Sequence, residues 1–331
     1  MKNICLLFIF LSLVPRLFAQ EEIRPLGIAL ENFDYPFPVN YISLENQSEM
    51  LEMAYMDVQP DQPNGQTIML LHGKNFCGAY WEQAARDLSS AGFRVIMPDQ
   101  IGFGKSTKPN DLQYTFHLLA QNTKALLDSL EIDKTSVLGH SMGGMLATRF
   151  VLMYPESVNK FILENPIGLE DWKVKVPYHP VIYWYQQELK KDYESIKQYQ
   201  LENYYDGQWA PRYDRWVNML AGWTLSPQYR LVAWNAALTY DMIFTQPVVY
   251  EFEHVQAPTL LIIGQRDRTA LGKNWVSEEV KETLGNYPEL GKATAAKIPG
   301  ARLVELDDVG HLPHIEAYER FIAPLLQFLQ E

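Results

Sequence analysis

One serine of this chain lies in a motif that can present its hydroxyl as a nucleophile. Ser141 is the centre of a G-x-S-x-G motif at residues 139–143, between a short apolar stretch that ends at Leu138 and an apolar helical pattern. A sharp turn from strand to helix pushes the serine side chain outward and crowds the positions two before and two after it, and glycine fits both because it has no Cβ. The motif predicts a nucleophile at Ser141, although plain strand-to-helix turns also contain it.

A base and an acid that could activate this serine follow two later apolar stretches. A serine hydroxyl is a poor nucleophile until a base takes its proton, and that base needs a third group to orient it. Asp267 follows the stretch at residues 259–263, and His311 follows the stretch at 302–306. Ser141, Asp267 and His311 therefore occur in the chain order Ser, Asp, His, and we predict that they form a catalytic triad.

The assignments of the acid and the base each have an alternative. Asp267 could be a loop residue paired with a neighbouring arginine, and His311 could be structural, with His314 as a rival base. The reserve acids, which also lie near predicted strand ends, are Asp99 and Glu164. Three other histidines have no such placement and are expected to be structural or exposed, namely His117, His179 and His254.

The attacked carbonyl becomes an oxyanion, which needs hydrogen-bond donors. One expected donor is the backbone N–H of Met142, at the start of the helix after the serine, where the helix dipole adds positive potential. The other is the backbone N–H of Lys74, in the loop after the apolar stretch at residues 67–71. The side-chain amide of Asn75 is a candidate extra donor, and His72 is expected to brace this loop rather than to act as a base.

Apolar stretches alternate with helical patterns along most of the chain, and this alternation indicates how the candidate residues are positioned. Continuous apolar runs are typical of strands covered on both faces. Their alternation with helices predicts an α/β fold, with a mostly parallel central sheet and helices on both faces. The predicted strands are at residues 51–58, 67–71, 94–97, 135–139, 160–163, 259–263 and 302–306, and the predicted helices are at 80–90, after Thr115, at 142–153, within 273–297 and from Pro313.

The alternation stops after Pro166 and resumes at Thr259. The segment between them has a helical pattern and contains six of the eight tryptophans. We expect it to be an inserted helical cap over the carboxyl ends of the strands, where open α/β sheets bind ligands. Most of its aromatic side chains should hold the cap together, and a minority should line a pocket. The predicted organisation is an irregular N-terminal arm at residues 20–48, a core at 49–165 and 251–331, and the cap at 166–250.

The N-terminus has the layout of a secretory signal peptide at residues 1–19. Lys2 precedes an apolar run from Ile4 to Val14, and Ala19 follows, an arrangement that is typical of exported proteins. We expect cleavage near Ala19 and a periplasmic or secreted mature protein. The alternative is an N-terminal membrane anchor, but the apolar run is shorter than the roughly 20 residues that span a bilayer.

The composition of the mature chain narrows the classes of partner. Residues 1–19 contain Lys2 and Arg16 but no acid, so 26 basic and 40 acidic side chains remain, a net charge of −14. This acidity argues against nucleic acid and against stable association with anionic membranes, and we expect a small-molecule substrate. Only Cys77 remains as a cysteine, so no intrachain disulfide can form, and no metal-spaced histidine and cysteine cluster occurs, so no cofactor or metal is expected.

The motifs resemble those of the α/β-hydrolase superfamily. The resemblance extends over residues 51–329 and rests on His72-Gly73, DQIGFGKS at 99–106, GHSMGG at 139–144, GQRD at 264–267 and GHLPHIE at 310–316. It implies an α/β-hydrolase fold with a lid and a Ser-His-Asp hydrolase. Serine at position 141 departs from the haloalkane dehalogenase and epoxide hydrolase branches, which have aspartate there.

The sequence thus predicts a serine hydrolase that cleaves a small, partly apolar ester or lactone through an acyl-enzyme. Similar members of the superfamily include hydrolases that cleave carbon–carbon bonds of ring-cleavage products and use the same triad on a ketone. Cleavage of a diketone-type acid is therefore one alternative. The other is a protein that keeps the fold and binds a small molecule without turnover, although an intact triad favours an enzyme.

Overall fold

A computed structural model describes residues 23–331, which build one eight-stranded sheet and its surrounding helices. The signal peptide predicted at residues 1–19 lies outside the described residues. The strands are β1 Val39–Asn46, β2 Glu49–Val58, β3 Thr67–Leu71, β4 Arg94–Pro98, β5 Thr135–His140, β6 Val158–Glu164, β7 Thr259–Gly264 and β8 Arg302–Leu306. The helices are α1 Glu82–Ser90, α2 Phe116–Ser129, α3 Met142–Met153, α4 Val181–Glu188, α5 Tyr193–Asn203, α6 Asp214–Thr224, α7 Tyr229–Thr245, α8 Glu278–Glu282, α9 Tyr287–Lys297, α10 Pro313–Glu316 and α11 Tyr318–Gln330.

The strand order across the sheet is β1-β2-β4-β3-β5-β6-β7-β8. The pairs β1–β2 and β2–β4 are antiparallel, and every pair from β4 to β8 is parallel. The predicted α/β fold with a mostly parallel sheet is therefore confirmed. Because parallel strands end on the same side of a sheet, the loops after β3, β5, β6, β7 and β8 meet at one end of the molecule.

The strands beside the serine are packed on both faces. Ile68 and Leu70 of β3 belong to a hydrophobic cluster with α1 and α11, whereas Met69 belongs to a second cluster with α2 and α3. In β5, Val137 and Leu138 divide between the same two clusters. Since full burial of one such side chain contributes roughly 1.5–3 kcal/mol, the strand that leads to Ser141 is firmly anchored.

The N-terminal arm differs from the prediction of an irregular segment at residues 20–48. It contains β1, which pairs along its whole length with β2. The two strands are joined by Gln47 and Ser48, whose φ values are 49° and 71°, as in the two-residue type I′ turns of hairpins. This turn lacks the Asn-Gly or Asp-Gly pair that usually marks such hairpins, and β1 is an edge strand with mostly exposed or half-buried side chains. The alternation of apolar and polar residues in β1 is therefore weak, and the sequence pattern does not mark the strand.

The remaining helical segments lie close to their predicted positions. The four helices α4 to α7 occupy the segment between β6 and β7, which we call the insertion. The stretch within residues 273–297 contains two helices, α8 and α9, and the last helical region is divided at Ala317, whose φ and ψ of −136° and 55° are not helical. Across residues 23–331, no helix combines the length and the apolar character needed to cross a bilayer.

Candidate active site

Ser141 lies at the turn between β5 and α3, in a backbone conformation that few residues adopt. Its φ is 56° and its ψ is −121°, and a side chain other than glycine is strained at such a φ. A Cβ at Gly139 would lie 2.2 Å from the carbonyl oxygen of Gly143, and a Cβ at Gly143 would lie 2.2 Å from that of Leu71. Both glycines of the motif are therefore required by close backbone contacts, as the motif predicts.

His311 and Asp267 are aligned with this serine. Ser141 Oγ is 3.0 Å from His311 Nε2, and His311 Nδ1 is 2.7 Å from Asp267 Oδ2. Because an ionised carboxylate only accepts hydrogen bonds, Nδ1 carries the imidazole proton, and Nε2 is left as an acceptor for the serine hydroxyl. The structure thus brings the three predicted residues into one hydrogen-bonded chain, with the imidazole in the tautomer that a base requires.

Asp267 is fully buried and is held by three donors. Its Oδ1 accepts from the backbone N–H of Thr269 (2.7 Å), and its Oδ2 accepts from the side-chain amide of Asn165 (2.8 Å) and from His311. Burial alone would raise its pKa, but the charge of His311 and these hydrogen bonds hold the pKa of Asp267 below its ordinary value. The carboxyl group is therefore an anion that can orient the imidazole and stabilise its protonated form.

Asn165 is a residue of the site that sequence reasoning misses. It follows β6 directly with a φ of 34°, and its side-chain oxygen accepts from the backbone N–H of Gly264 (2.8 Å). Asn165 therefore fixes the end of β6 to the end of β7, just before Asp267. The signal for it in the sequence is a polar residue immediately after a predicted strand, where the neighbouring Glu164 is the more conspicuous candidate.

The reserve candidates form contacts of their own. Glu164 Oε1 accepts from the backbone N–H and from Nδ1 of His314, each at 2.8 Å, and both side chains are buried. Asp99 accepts hydrogen bonds from Tyr35 Oη and from two backbone N–H groups. Within residues 23–331, none of the three reserve side chains forms a hydrogen bond with Ser141, so the structure does not bring them into its hydrogen-bonded chain.

The loop after β3 passes directly against the serine. A Cβ at Gly73 would lie 3.1 Å from Ser141 Cβ, so the backbone of the next residue, Lys74, runs beside the site. Met142, the other residue predicted to bind the oxyanion, is the first residue of α3. The side-chain amide of Asn75, the candidate extra donor, donates to Tyr204 Oη (2.9 Å) and is thus partly engaged elsewhere.

His72 is buried behind this loop. Its Nε2 accepts from the backbone N–H of Gln100 (3.0 Å), and its Nδ1 donates to the carbonyl oxygen of Gly73 (2.9 Å). Burial lowers the pKa of His72, so the neutral ring that these two bonds need is favoured. Its contacts are those of the loop brace that the sequence predicts.

A second buried network joins three loops of the site, and sequence reasoning misses it too. Tyr80 Oη accepts from the backbone N–H of Gly73 (2.9 Å) and lies 3.0 Å from His140 Nδ1. His140 Nε2 lies 2.8 Å from the backbone carbonyl oxygen of His311. A carbonyl only accepts, so Nε2 carries the proton and the Tyr80 hydroxyl donates to Nδ1. Burial, together with neighbouring histidines, holds the pKa of His140 well below its ordinary value. We call this neutral chain of hydrogen bonds the Tyr80–His140 bridge.

Ser141 and His311 open onto a cavity that also touches the insertion. Apolar and aromatic side chains with a few polar groups are the usual lining of a small-molecule site. The other lining residues are Lys74, Asn75, Phe76, Ile167, Trp172, Tyr199, Tyr204, Tyr240, Ile243, Thr269, Ala270 and Leu271.

The three histidines without a predicted role lie outside this cavity. His117 and His254 are exposed, and the ring of His179 stacks on that of Tyr183 with centroids 4.2 Å apart. In the part of the chain that the structure describes, no group of three or more potential metal ligands occurs.

Comparison with known proteins gives a family and several relatives. The family model of the alpha/beta hydrolase fold matches residues 66–318. A solved structure described as a probable hydrolytic enzyme (PA3053) from Pseudomonas aeruginosa PAO1 is 53% identical, with a TM-score of 0.92 over 93% of this chain and 99% of that chain. The enol-lactonase of Burkholderia xenovorans LB400 is 21% identical, with a TM-score of 0.68 over 88% of this chain and 100% of that chain, and therefore shows a shared fold alone.

A curated relative is matched over a shorter segment. The 2-hydroxy-6-oxo-6-phenylhexa-2,4-dienoate hydrolase of Burkholderia cepacia is 38% identical over 112 residues, which are 33% of this chain and 39% of the relative. The chain thus spans about two fifths of the length of this relative. The family model, in contrast, covers most of the chain, and the 53% identity to a solved structure extends over nearly all of it. The chain therefore belongs to the alpha/beta hydrolase family.

Proposed function

We propose that this chain is a serine hydrolase that cleaves a small, partly apolar ester or lactone through an acyl-enzyme on Ser141. The observation that carries the proposal is the hydrogen-bonded chain from Asp267 through His311 to Ser141, which opens onto a cavity lined largely by apolar and aromatic side chains. A nucleophile, a base and a group that orients the base are the parts that acyl transfer needs.

In the first half of the reaction, Ser141 Oγ attacks the substrate carbonyl while His311 Nε2 takes the hydroxyl proton. Asp267 stabilises the imidazolium through Nδ1–H. The backbone N–H groups of Met142 and Lys74 bind the oxyanion, and such donors are worth most in a site that excludes water. The imidazolium then gives its proton to the leaving alkoxide, and the acyl-enzyme remains.

In the second half, water takes the place of the alcohol. His311 removes a proton from the water, which attacks the acyl carbonyl, and the same backbone donors bind the second oxyanion. Collapse of this intermediate returns the proton to Ser141 Oγ and releases the acid. The low pKa of Asp267 supports both halves, because its carboxylate stays charged when the imidazole is protonated.

In this proposal the insertion acts as a cap that selects the substrate. Six of the cavity's side chains lie on the insertion, and all of them are large, namely Ile167, Trp172, Tyr199, Tyr204, Tyr240 and Ile243. Large side chains above a nucleophile leave room for a short acyl or lactone group and limit the length of the chain that fits.

We also propose that the protein is exported, that residues 1–19 are removed near Ala19, and that the mature protein binds neither nucleic acid nor membranes stably. The charged start and apolar run at residues 2–14 support export, and the net charge of −14 after cleavage, from 26 basic and 40 acidic side chains, supports the absence of polyanionic partners. N-terminal sequencing of the protein recovered outside the cytoplasm tests the cleavage. A mature chain that still begins at Met1 would contradict it.

The second candidate function is hydrolysis of a carbon–carbon bond in a diketone-type acid. The observation that favours it is the name of the Burkholderia cepacia relative, a hydrolase of a 2-hydroxy-6-oxo dienoate with 38% identity over 112 residues. The same three side chains would then act on a ketone, and the departing group would be a carbon rather than an alkoxide. Binding of a small molecule without turnover is the alternative from another class.

Two measurements on the mature protein separate these functions. Turnover of p-nitrophenyl esters together with covalent labelling of Ser141 by an active-serine phosphonate supports the ester or lactone hydrolase. Labelling of Ser141 with no turnover of any ester would instead favour the carbon–carbon hydrolase. A protein that is neither labelled nor active would contradict both, and Ser141→Ala, purified in the same way, controls for labelling at other residues.

A further inference from the structure

A second cavity adjoins the one that contains Ser141. Its lining comes from the loop at residues 99–106 and from all four helices of the insertion or their connections. Lys74 and Asn75 line both cavities. These two residues therefore stand at the boundary between the space beside the nucleophile and a second space.

The boundary has two lysines but one glutamate, so one positive charge has no partner of opposite sign. Glu188 and Lys191, which line the second cavity, form an ion pair of 2.7 Å with each other. Lys74 Nζ has no ion pair or hydrogen bond with any residue of 23–331; its contact is with the ring face of Tyr240, 3.5 Å from the centroid. With both lysines protonated, the three groups carry one net positive charge, and the unmatched charge is that of Lys74.

An unmatched ammonium beside two largely apolar cavities is unfavourable, because it loses hydration without gaining a partner of opposite charge. Burial lowers the pKa of Lys74 to about 7, against the attraction of Glu188 and together with the repulsion of Lys191. The cation–π contact with Tyr240 offsets only part of the lost hydration. A ligand carboxylate at this boundary would supply the missing partner and would restore the charged form.

We propose that Lys74 selects substrates in which a carboxylate lies a few bonds from the carbonyl that Ser141 attacks, as in monoesters of short dicarboxylic acids and in keto acids. The proposal rests on the function proposed above and narrows its substrate class. The carbonyl occupies the first cavity, and the carboxylate meets the Lys74 ammonium at the boundary to the second. Lys74 thus has two separate parts in the site, its backbone N–H toward the oxyanion and its side chain toward the substrate's charge.

The test compares p-nitrophenyl monoesters of succinate, glutarate and adipate with the neutral butyrate, valerate and hexanoate esters of the same lengths. For at least one length, wild-type kcat/KM should be roughly tenfold to a hundredfold higher for the charged ester, the effect of one charge-assisted hydrogen bond. In Lys74→Met, which keeps the backbone N–H, this ratio should fall by a similar factor. Lys74→Arg should keep a preference for the charged ester.

Lys190→Met is the matched control, because Lys190 is an exposed lysine of the insertion that lines neither cavity. Its ratio of charged to neutral turnover should equal that of the wild type. A wild type that prefers the neutral ester at every length, or a Lys74→Met ratio equal to that of the wild type, would overturn the proposal. Thermal unfolding of each variant verifies the fold, and Lys74→Gln replaces Lys74→Met if the latter does not fold.

The proposed function and the present proposal fail in different ways. Turnover of neutral esters with no preference for the charged ones retains the hydrolase and removes the role of Lys74. If no ester of either kind reacts, calorimetric titration of glutarate into the wild type and Lys74→Met decides. Binding that is lost in Lys74→Met supports the anion subsite, and equal or absent binding in both proteins contradicts it.

Discussion

Tyr80→Phe is a small change that should nevertheless damage both the stability and the chemistry of the site. It removes one hydroxyl and keeps the ring, which is buried and does not line the cavity beside Ser141. That hydroxyl accepts from the backbone N–H of Gly73 and donates to His140 Nδ1. The substitution therefore deprives a buried donor and a buried acceptor of their partner at the same time.

The expected loss of stability follows from these two groups. A buried polar group left without its hydrogen bond costs about 1–3 kcal/mol, and some relaxation reduces the sum, so we expect the free energy of unfolding to fall by about 2–4 kcal/mol. A typical domain has roughly 5–15 kcal/mol in total, so the variant should still fold. The ring itself leaves no cavity, because phenylalanine occupies the same space.

The expected loss of activity follows from what the bridge holds. Gly73 precedes Lys74, the predicted oxyanion donor, and His140 holds the backbone carbonyl of His311 (2.8 Å). Deletion of a whole oxyanion donor costs roughly 10²–10³ in kcat. Loosening two loops without deleting either group should cost less, roughly tenfold in kcat, with KM nearly unchanged because the substrate does not touch Tyr80.

Tyr205→Phe is the matched control for this experiment. Tyr205 is also a buried tyrosine, but within residues 23–331 its hydroxyl has no hydrogen-bond partner, so its removal should leave stability unchanged or raise it. Urea unfolding and ester kinetics on both variants provide the comparison. If Tyr80→Phe lost no more stability than Tyr205→Phe, or lost stability with unchanged kcat, the bridge would not position the catalytic loops.

The other predictions concern the triad and the cavity. Ser141→Ala should fold like the wild type, since the side chain sits at a turn beside a cavity. An ester assay on the purified variant should show only the ~10³-fold acceleration over water that remains without a triad member. His311→Ala should abolish activity. His314→Ala should keep activity and lower Tm, because His314 pairs with buried Glu164. If only His314→Ala lost activity, His314 would be the base. The folded-state pKa of Asp267 is depressed, so its carboxylate stabilises the fold above about pH 4, the ordinary pKa of an aspartate. This stabilisation is lost as the pH falls through the lower folded-state pKa. The free energy of unfolding of Asp267→Asn, measured in urea, should lack that part of the pH dependence. For neutral esters, kcat/KM should rise several-fold per methylene of the acyl chain, because each buried CH₂ contributes about 0.8 kcal/mol. It should drop once the acyl chain outgrows the cavity. A maximum at long acyl chains that depends on an emulsion would refute a closed pocket.

The parts of the site that the sequence predicts are those that topology determines. Parallel strands end on one side of the sheet, so residues directly after apolar runs must meet there. This is why Ser141, Asp267 and His311 can be grouped before their distances are known. The fold class is confirmed for the same reason, since alternation of strands and helices is visible in the pattern of apolar residues.

The parts that sequence reasoning misses depend on side-chain directions. Glu164 ends β6 and Asn165 follows it, and only the structure shows that Asn165 turns toward Asp267 while Glu164 turns toward His314. Tyr80 and His140 are 60 positions apart, and nothing in either residue's local pattern indicates the other. The β1 hairpin escapes prediction because its turn lacks glycine and most side chains of its edge strand are exposed or half-buried.

Lys74 shows why the sequence predicts the chemistry of this protein better than it predicts the substrate. Its backbone belongs to the loop after β3, which the parallel sheet brings to Ser141, so its place beside the nucleophile can be predicted from topology. Its side chain meets Tyr240 of α7 and lies near the Glu188–Lys191 pair, and these contacts depend on how the insertion packs. No strand order determines that packing. Substitutions in the insertion should therefore change which substrate is bound while leaving the triad geometry intact, whereas substitutions in the Tyr80–His140 bridge should act on every substrate alike.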